Sequence, residues 1–159
     1  MTAASMIDER NREETEVQST DRTLAIIKPD AVASGKAGKI IAHLEETGFT
    51  VRALRMTRLD DAQAAEFYAV HRERPFYGSL VAFMTSGPVI PMVLGAGGAV
   101  ARLREAIGAT DPAEAAEGTV RRLYAESKER NAIHASDSDE NAAREIAFFF
   151  AGADLLGRS

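Results

Sequence analysis

Residues 23–29, TLAIIKP, are an unbroken apolar run that ends at a lysine and a proline. An apolar run without polar alternation is typical of a strand that is buried on both faces, and a proline cannot donate to a strand ladder. We therefore predict a central β-strand over 23–27, with Lys28 at its end.

Strand and helix patterns alternate after this run. The further predicted strands cover 49–59, 89–94 and 131–134, and the predicted helices cover 38–47, 60–71, 76–84, 99–107 and a last stretch from Ser136 or Ser138 to about 151. Residues 108–130 show no convincing period and are too long for an ordinary connector, which indicates a functional loop. This order predicts an α+β fold, a ferredoxin-like split βαβ sandwich with a four-stranded antiparallel sheet and helices on one sheet face.

Length and composition exclude several classes of protein. The chain has 159 residues, 45% of them hydrophobic and 27% charged, which fits one globular domain. Its apolar runs are far shorter than the ~20 residues of a membrane-spanning helix. Without cysteine, neither disulfides nor thiolate chemistry is possible, and a net charge of −5 argues against general attraction to nucleic acid.

Residues 1–20 differ from the rest of the chain. They contain five acids and few large apolar residues, so they cannot bury enough surface to offset the entropy of chain ordering. We predict a flexible acidic N-terminal tail over 1–20 and one folded domain over 21–159. The start lacks the pattern of a secretory signal, and the absence of cysteine favours a reducing compartment, so we expect a cytoplasmic protein.

The three histidines occupy different positions in the predicted elements. His43 lies on the solvent side of its helix, and His71 lies at a helix C-terminus, where the helix dipole explains it. His134 ends an apolar strand before a turn into a helix, whose N–H groups can face an anion. Imidazole suits nucleophilic or acid–base chemistry, so His134 is the candidate, with a structural role as an equal alternative on position alone. No two histidines have the spacing of metal ligands.

Cationic side chains fall at strand ends, at helix edges or in the long loop, namely Lys28, Arg104, Arg121 and Arg130. Their joint placement favours a phosphate ligand, whereas each arginine alone is explained by a solvated surface charge. Glu145 lies just outside the apolar stripe of the last helix. A salt bridge and a catalytic role explain Glu145 equally well.

Six motifs occur in the order seen in one enzyme family. They are TLAIIKPDAV at 23–32, RPFY at 74–77, MTSGP at 84–88, GATDP at 108–112, GTVR at 118–121 and NAIHASD at 131–137. From about Asp21 to Phe150 the chain resembles the nucleoside diphosphate kinases, and six motifs in register are far more specific than one short pattern.

The resemblance implies an activity. In this family a phosphoryl group moves from a nucleoside triphosphate to a histidine and then to a nucleoside diphosphate, a ping-pong mechanism with low base specificity, and His134 matches that histidine. The resemblance also implies Mg²⁺, held mainly by the nucleotide phosphates rather than by the protein, and a homo-oligomer, either a tetramer or a hexamer. Neither a membrane nor an obligate nucleic-acid partner is expected.

The resemblance also implies roles for individual positions. Lys28 would contact the transferring phosphoryl group and the sugar hydroxyl, with Tyr68 beside it, and Glu145 would orient the imidazole, with Ser136 close by. The phosphates would be held by Arg104, Thr110 and Arg121. Asn131 would bind the ribose 3′-hydroxyl, and Phe76 would stack on the base. The long loop then belongs to the nucleotide site. Replacing Arg121 by alanine is expected to raise the nucleotide KM and to leave the fold intact.

Two positions depart from the family's usual pattern, and two other classes of protein stay open. Ala135 stands where glycine is usual, at a cost of about 1 kcal/mol if that position needs a positive φ. Lys128 stands where an apolar residue usually covers the base. Loss of His134 or Lys28 would indicate a non-catalytic nucleotide-binding module, and neither is lost. A nucleic-acid-binding sheet would need exposed strand aromatics and a basic face, which the acidic total opposes.

Overall fold

The computed structural model describes residues 21–156, so the predicted tail and the last three residues of the predicted domain lie outside the described residues. Its strands are β1 (Arg22–Ile27), β2 (Thr50–Leu54), β3 (Ile90–Gly95) and β4 (Ile133–Ala135). They form one sheet in the order β2-β3-β1-β4, and every neighbouring pair is antiparallel. The predicted α+β class and four-stranded antiparallel sheet are confirmed.

Helices fill the connections between the strands. They are α1 (Pro29–Ala33), α2 (Ala37–Glu46), α3 (Asp61–Phe67), α4 (Tyr77–Met84), α5 (Ala99–Ile107), α6 (Val120–Tyr124), α7 (Asp139–Phe149) and α8 (Gly152–Leu155), with a 3₁₀ turn at Ala69–His71. No helix in the described range is both long and apolar enough to cross a membrane.

β1 is buried on both faces, as its apolar run predicts. Ala25 and Ile27 point into a core that α2, α5 and α6 cover, whereas Leu24 and Ile26 point into a second core that α3, α4 and α7 cover. The expectation of helices on one face alone is therefore wrong. The reason is that the inserted pair α3 and α4, together with α7, brings a second set of apolar side chains, among them Phe67, to the other face.

Some element boundaries differ from the sequence pattern. Pro29 ends β1 but also begins α1, because its fixed φ and missing N–H suit the first turn of a helix. The long loop contains α6, whose first turn is capped by the Thr119 side chain. The helix predicted to reach His71 ends at Phe67 and continues as the 3₁₀ turn. β2 stops at Leu54 and is followed by an isolated bridge from Thr57 to Val89.

Candidate active site

Two neighbouring strands bring the candidate residues together. His134 of β4 pairs with Ile26 of β1, and Lys28 follows the end of β1. Beside them lies a cleft of about 630 Å³. Its walls include nine of the ten predicted site residues, Lys28, Tyr68, Phe76, Arg104, Thr110, Arg121, Asn131, His134 and Glu145. The tenth, Ser136, lies behind this wall in contact with Glu145.

One carboxylate holds the histidine. Glu145 Oε1 lies 2.5 Å from His134 Nε2 and accepts a second hydrogen bond of 3.0 Å from Ser136 Oγ. Glu145 is 4% exposed and Ser136 is completely buried, so the interaction is shielded from water. Because a carboxylate is an acceptor, it favours the tautomer with the proton on Nε2, which leaves Nδ1 as the basic nitrogen.

Aromatic rings fix the plane of the imidazole. The Phe67 and Tyr68 rings meet it edge-on, with centroids 5.3 Å and 5.9 Å away. The Tyr68 hydroxyl is buried without a hydrogen-bond partner among the described residues. Burial and, to a smaller degree, the nearby charge of Glu145 raise the pKa of Tyr68, so its hydroxyl stays protonated and can donate to a ligand.

Lys28 is tied to the loop before β4. Its Nζ donates to Asn131 Oδ1 at 2.8 Å, and Asn131 Nδ2 donates to the Thr110 carbonyl at 3.2 Å. Lys28 is 7% exposed. Burial first, and then the positive charge of Arg121, lowers the pKa of Lys28 to about 8, while Asp30 and Glu129 oppose this change. An ammonium with few neighbouring counter-charges is suited to bind an anion.

Arg121 joins three elements of the site. Its Nη1 donates to the Gly108 carbonyl at 3.1 Å, and its Nη2 donates to the Ile133 carbonyl at 2.8 Å. Burial and the charge of Arg104 lower the pKa of Arg121 to about 10, which leaves the guanidinium charged at neutral pH. Gly108 has a φ of +86°, and a Cβ there would lie 2.6 Å from Thr119 Oγ1, so this turn requires glycine.

An aromatic side chain stands at another part of the cleft wall. Phe76 is 48% exposed, and the His71 ring is tilted against it with centroids 5.6 Å apart. Lys128 also lines the cleft. Ala135 is an ordinary strand residue opposite Ala25, and it does not have a positive φ. The conformational cost considered for Ala135 therefore does not arise.

The cleft wall combines cationic side chains with a few carboxylates. Among residues 21–156, no group of three or more histidine and acidic side chains is arranged to hold a metal ion. Lys28, Arg104 and Arg121 supply positive charge instead. Asp137 also lines the cleft, and the hydrogen bond from Asn141 helps to hold the pKa of Asp137 below its usual value. Its carboxylate therefore stays ionised at neutral pH.

The sequence patterns did not single out every residue of the cleft. His71 was explained by the helix dipole, yet it lines the cleft beside Phe76. Arg144 also lines the cleft, with Nη2 3.8 Å from Glu145 Oε2. Asp137 appeared only as the last letter of a motif. A signal existed for Asp137, because it follows Ser136 directly in the turn between β4 and α7.

The fold and the cleft define an antiparallel α+β protein with a carboxylate-held histidine beside the buried Lys28 and the half-buried Arg121, a class suited to phosphate-bearing ligands. The sequence profile of one family, "Nucleoside diphosphate kinase", matches residues 21–155. This chain belongs to the nucleoside diphosphate kinase family, and its enzyme class is that of a nucleoside-diphosphate kinase.

Individual relatives agree with this assignment. Nucleoside diphosphate kinases of Chlorobium luteolum and Rhodospirillum centenum are 59% and 55% identical over 86% and 87% of this chain, and 97% and 99% of their own lengths. The crystal structure of the Aquifex aeolicus enzyme has a TM-score of 0.84 at 48% identity, covering 86% of this chain and 99% of the other. The Halobacterium salinarum enzyme, determined in complex with CDP, has a TM-score of 0.83 at 39% identity, covering 88% and 93%.

Proposed function

We propose that this enzyme moves the terminal phosphoryl group of a nucleoside triphosphate to a nucleoside diphosphate in two displacements at His134. The single observation that carries the proposal is the 2.5 Å contact between His134 Nε2 and Glu145 in a cleft lined by cations. This contact leaves Nδ1 as the nucleophile. In the first displacement the Nδ1 electron pair forms the nitrogen–phosphorus bond, and the phosphorus–oxygen bond to the leaving diphosphate breaks.

Glu145 supports this step electrostatically. When Nδ1 becomes phosphorylated while Nε2 keeps its proton, the imidazole ring gains positive charge. The buried carboxylate stabilises that charge, and the Ser136 hydroxyl keeps the carboxylate in place. In the second displacement an oxygen of the acceptor diphosphate attacks the same phosphorus, and the electron pair returns to Nδ1.

The cations of the cleft support the handling of phosphate charge. Phosphoryl transfer leaves little covalent chemistry to the protein, so positioning and charge neutralisation dominate. In the proposed complex Arg104, Thr110 and Arg121 hold the non-transferring phosphates, and Lys28 meets the phosphoryl group in transfer, with the Tyr68 hydroxyl beside it. Mg²⁺ bound to the nucleotide phosphates would neutralise further charge, and the Asp137 carboxylate of the cleft wall would help to hold it.

The nucleoside side of the cleft supports low base specificity. Phe76 offers an exposed ring on which any base can stack, and stacking does not depend on the pattern of base-edge donors and acceptors. Asn131 would bind the ribose 3′-hydroxyl next to Lys28. We expect kcat/KM values for ADP, GDP and CDP within about tenfold of one another.

The other classes of protein have less support. Both faces of the sheet are packed against helices within the described range, so the strands present no open face for nucleic acid. A non-catalytic module has no need of a nucleophile held by a buried carboxylate. For the whole molecule we propose a cytoplasmic homo-oligomer, either a tetramer or a hexamer. Light scattering after size-exclusion chromatography distinguishes these two oligomers.

Labelling with γ-³²P ATP tests the proposed mechanism. The wild-type enzyme should acquire an acid-labile, alkali-stable label that GDP removes, and His134→Gln should acquire none. His43→Gln is the matched control, because His43 is outside the cleft and its loss should leave the label unchanged. An unlabelled wild type, or a labelled His134→Gln enzyme, would contradict the mechanism.

A further inference from the structure

Ala132 has a backbone conformation that alanine rarely adopts. Its φ is +73°, and it is the one non-glycine residue with a positive φ in the part of the chain that the structure describes. The left-handed region brings the Cβ of an L-residue too close to its own backbone. Such conformations persist only where surrounding contacts enforce them, and they cluster at functional sites.

Two backbone contacts enforce this conformation. Asp30 Oδ2 accepts a hydrogen bond of 3.1 Å from the Ala132 amide, across 102 positions of sequence. The Lys28 amide donates to the Ala132 carbonyl at 2.9 Å. Asp30 is 3% exposed and lies in the first turn of α1, directly after β1. Both polar groups of the Ala132 backbone are thus held by the segment that carries Lys28.

The enforced residue lies between two parts of the site. On one side of Ala132, Asn131 accepts from Lys28 Nζ and donates to Thr110. On the other side, β4 begins and carries His134 opposite Ile26. A change of backbone direction at Ala132 therefore sets the angle between the Asn131 side chain and the strand of His134.

We propose that Asp30 is a positioning residue for phosphoryl transfer, whose carboxylate holds Ala132 in the left-handed conformation and so fixes Asn131 and Lys28 relative to His134. The inference rests on the proposed function and adds to it a residue that touches neither nucleotide nor phosphoryl group. A merely structural Asp30 would contribute to folding stability without determining the geometry of transfer.

The substitution Ala132→Gly distinguishes a positioning role of Asp30 from a purely structural one. Glycine adopts a positive φ without steric cost, so Ala132→Gly removes the need for enforcement by Asp30. The experiment compares the wild-type enzyme, Asp30→Ala, Ala132→Gly and the double variant in the full chain. The measurements are kcat and KM for ATP and a nucleoside diphosphate, together with Tm.

The proposal predicts a specific rescue. We expect Asp30→Ala to lower kcat by about tenfold or more, as a misplacement of about 1 Å can do. The kcat of the double variant should be at least about fivefold higher than the kcat of Asp30→Ala, even if its Tm stays low. Asp30→Asn keeps an oxygen that can accept from the Ala132 amide, so it should retain far more activity than Asp30→Ala.

The matched control is a second aspartate whose carboxylate also accepts a hydrogen bond from a backbone amide, but outside the cleft. Asp60 Oδ1 accepts from the Gln63 amide at 2.8 Å as the N-cap of α3. Asp60→Ala should lower Tm, and Ala132→Gly should not rescue that variant.

Two outcomes would overturn the proposal, namely equal kcat in Asp30→Ala and the double variant, or no loss of kcat in Asp30→Ala. If Asp30→Ala does not fold, a folded and active double variant supports the proposal, and a double variant that also fails to fold overturns it. An inactive wild-type enzyme would instead contradict the proposed function, so the two failures are distinguishable.

Discussion

Glu145 is the residue on which the geometry of the histidine depends. Its Oε1 accepts hydrogen bonds from His134 Nε2 and Ser136 Oγ, and its Oε2 lies 3.8 Å from Arg144 Nη2. A buried carboxylate is costly without such partners. Because His134 lies in β4 and Glu145 in α7, the carboxylate also joins the strand of His134 to the helix behind it.

Glu145→Gln should slow the enzyme without removing its activity. The amide oxygen can still accept from Nε2, but a charge-assisted hydrogen bond becomes a neutral one, a loss of about 1 kcal/mol or about fivefold in rate. The measurement is the rate of phosphohistidine formation in a single turnover. Glu140→Gln, an exposed change on the same helix, is the control, and equal rates in the two variants would contradict this role for Glu145.

Lys28 should determine the alkaline limit of activity. Its pKa is lowered to about 8, so the ammonium that we propose binds the phosphates is present below that pH and is lost above it. We expect kcat/KM, which reports the free enzyme, to fall as the pH rises through about 8. The charged groups that set this value are Arg121, which lowers it, and Asp30 and Glu129, which raise it.

The variant that checks this assignment is Lys28→Arg. A guanidinium holds its proton more strongly than an ammonium does in the same surroundings, so the alkaline decline should move to clearly higher pH in this variant, even if its kcat is lower. Lys39→Arg changes an exposed lysine in the same way and should keep the wild-type profile. An alkaline decline that stays at the wild-type pH in Lys28→Arg would assign the titration to another group.

At the scale of elements, the short helix α6 organises the side of the cleft that we propose binds the phosphates. Thr119 caps its first turn, and Arg121 extends from it to the carbonyls of Gly108 and Ile133. These contacts join the end of α5, α6 and the start of β4. A helix of five residues has little stability of its own, so its position depends on such contacts.

Arg121→Ala should therefore weaken both binding and stability. We expect the nucleotide KM to rise about tenfold or more, because a charged phosphate contact is lost. The unpaired carbonyls should also cost about 1–3 kcal/mol, measured as a fall in the free energy of unfolding. Only the first effect follows from the family resemblance, because the two carbonyl contacts of Arg121 are visible only in the structure. Arg122→Ala removes a neighbouring exposed arginine and should change neither quantity appreciably; if it matches Arg121→Ala, the assignment is wrong.

The elements that sequence analysis missed share a physical cause. α1, α6 and α8 have five, five and four residues, too few for an apolar period to be visible. By contrast, the unbroken run of β1 and the stripe of α5 identified those elements directly. Packing on the second sheet face could not be predicted from periodicity, because it depends on where α3 and α4 fold back onto the sheet.

The site shows the same division between local and long-range information. Position alone left His134 undecided, and the roles of Tyr68 and Asn131 came from the family resemblance. The Lys28–Asn131 hydrogen bond spans 103 positions of sequence, so no local pattern contains it. Sequence analysis considered a positive φ at Ala135, whereas the structure has it at Ala132, where an alanine gives no signal.

At the scale of the whole molecule, the acidic total and the cationic cleft are compatible. The chain carries a net charge of −5, yet Lys28, Arg104 and Arg121 face one cleft. Such a distribution attracts phosphate groups locally while the net charge opposes association with long polyanions. Among the described residues no group of three or more histidine and acidic side chains is arranged to hold a metal ion, and in the proposed mechanism Mg²⁺ is bound to the nucleotide phosphates.

Removal of divalent cations should therefore separate stability from activity. We expect EDTA to leave the Tm of the nucleotide-free protein unchanged, because the described residues contain no cluster of metal-binding side chains. We expect it to reduce turnover strongly, because the phosphates lose their counter-ion. ADP at about 100 times its Kd should stabilise the protein by about 2.7 kcal/mol. Differential scanning calorimetry with and without EDTA, and with and without ADP, measures the two stability effects, and a steady-state assay with and without EDTA measures turnover. A fall in Tm on adding EDTA to the nucleotide-free protein would reveal a protein-held ion and contradict this account of the charge in the cleft.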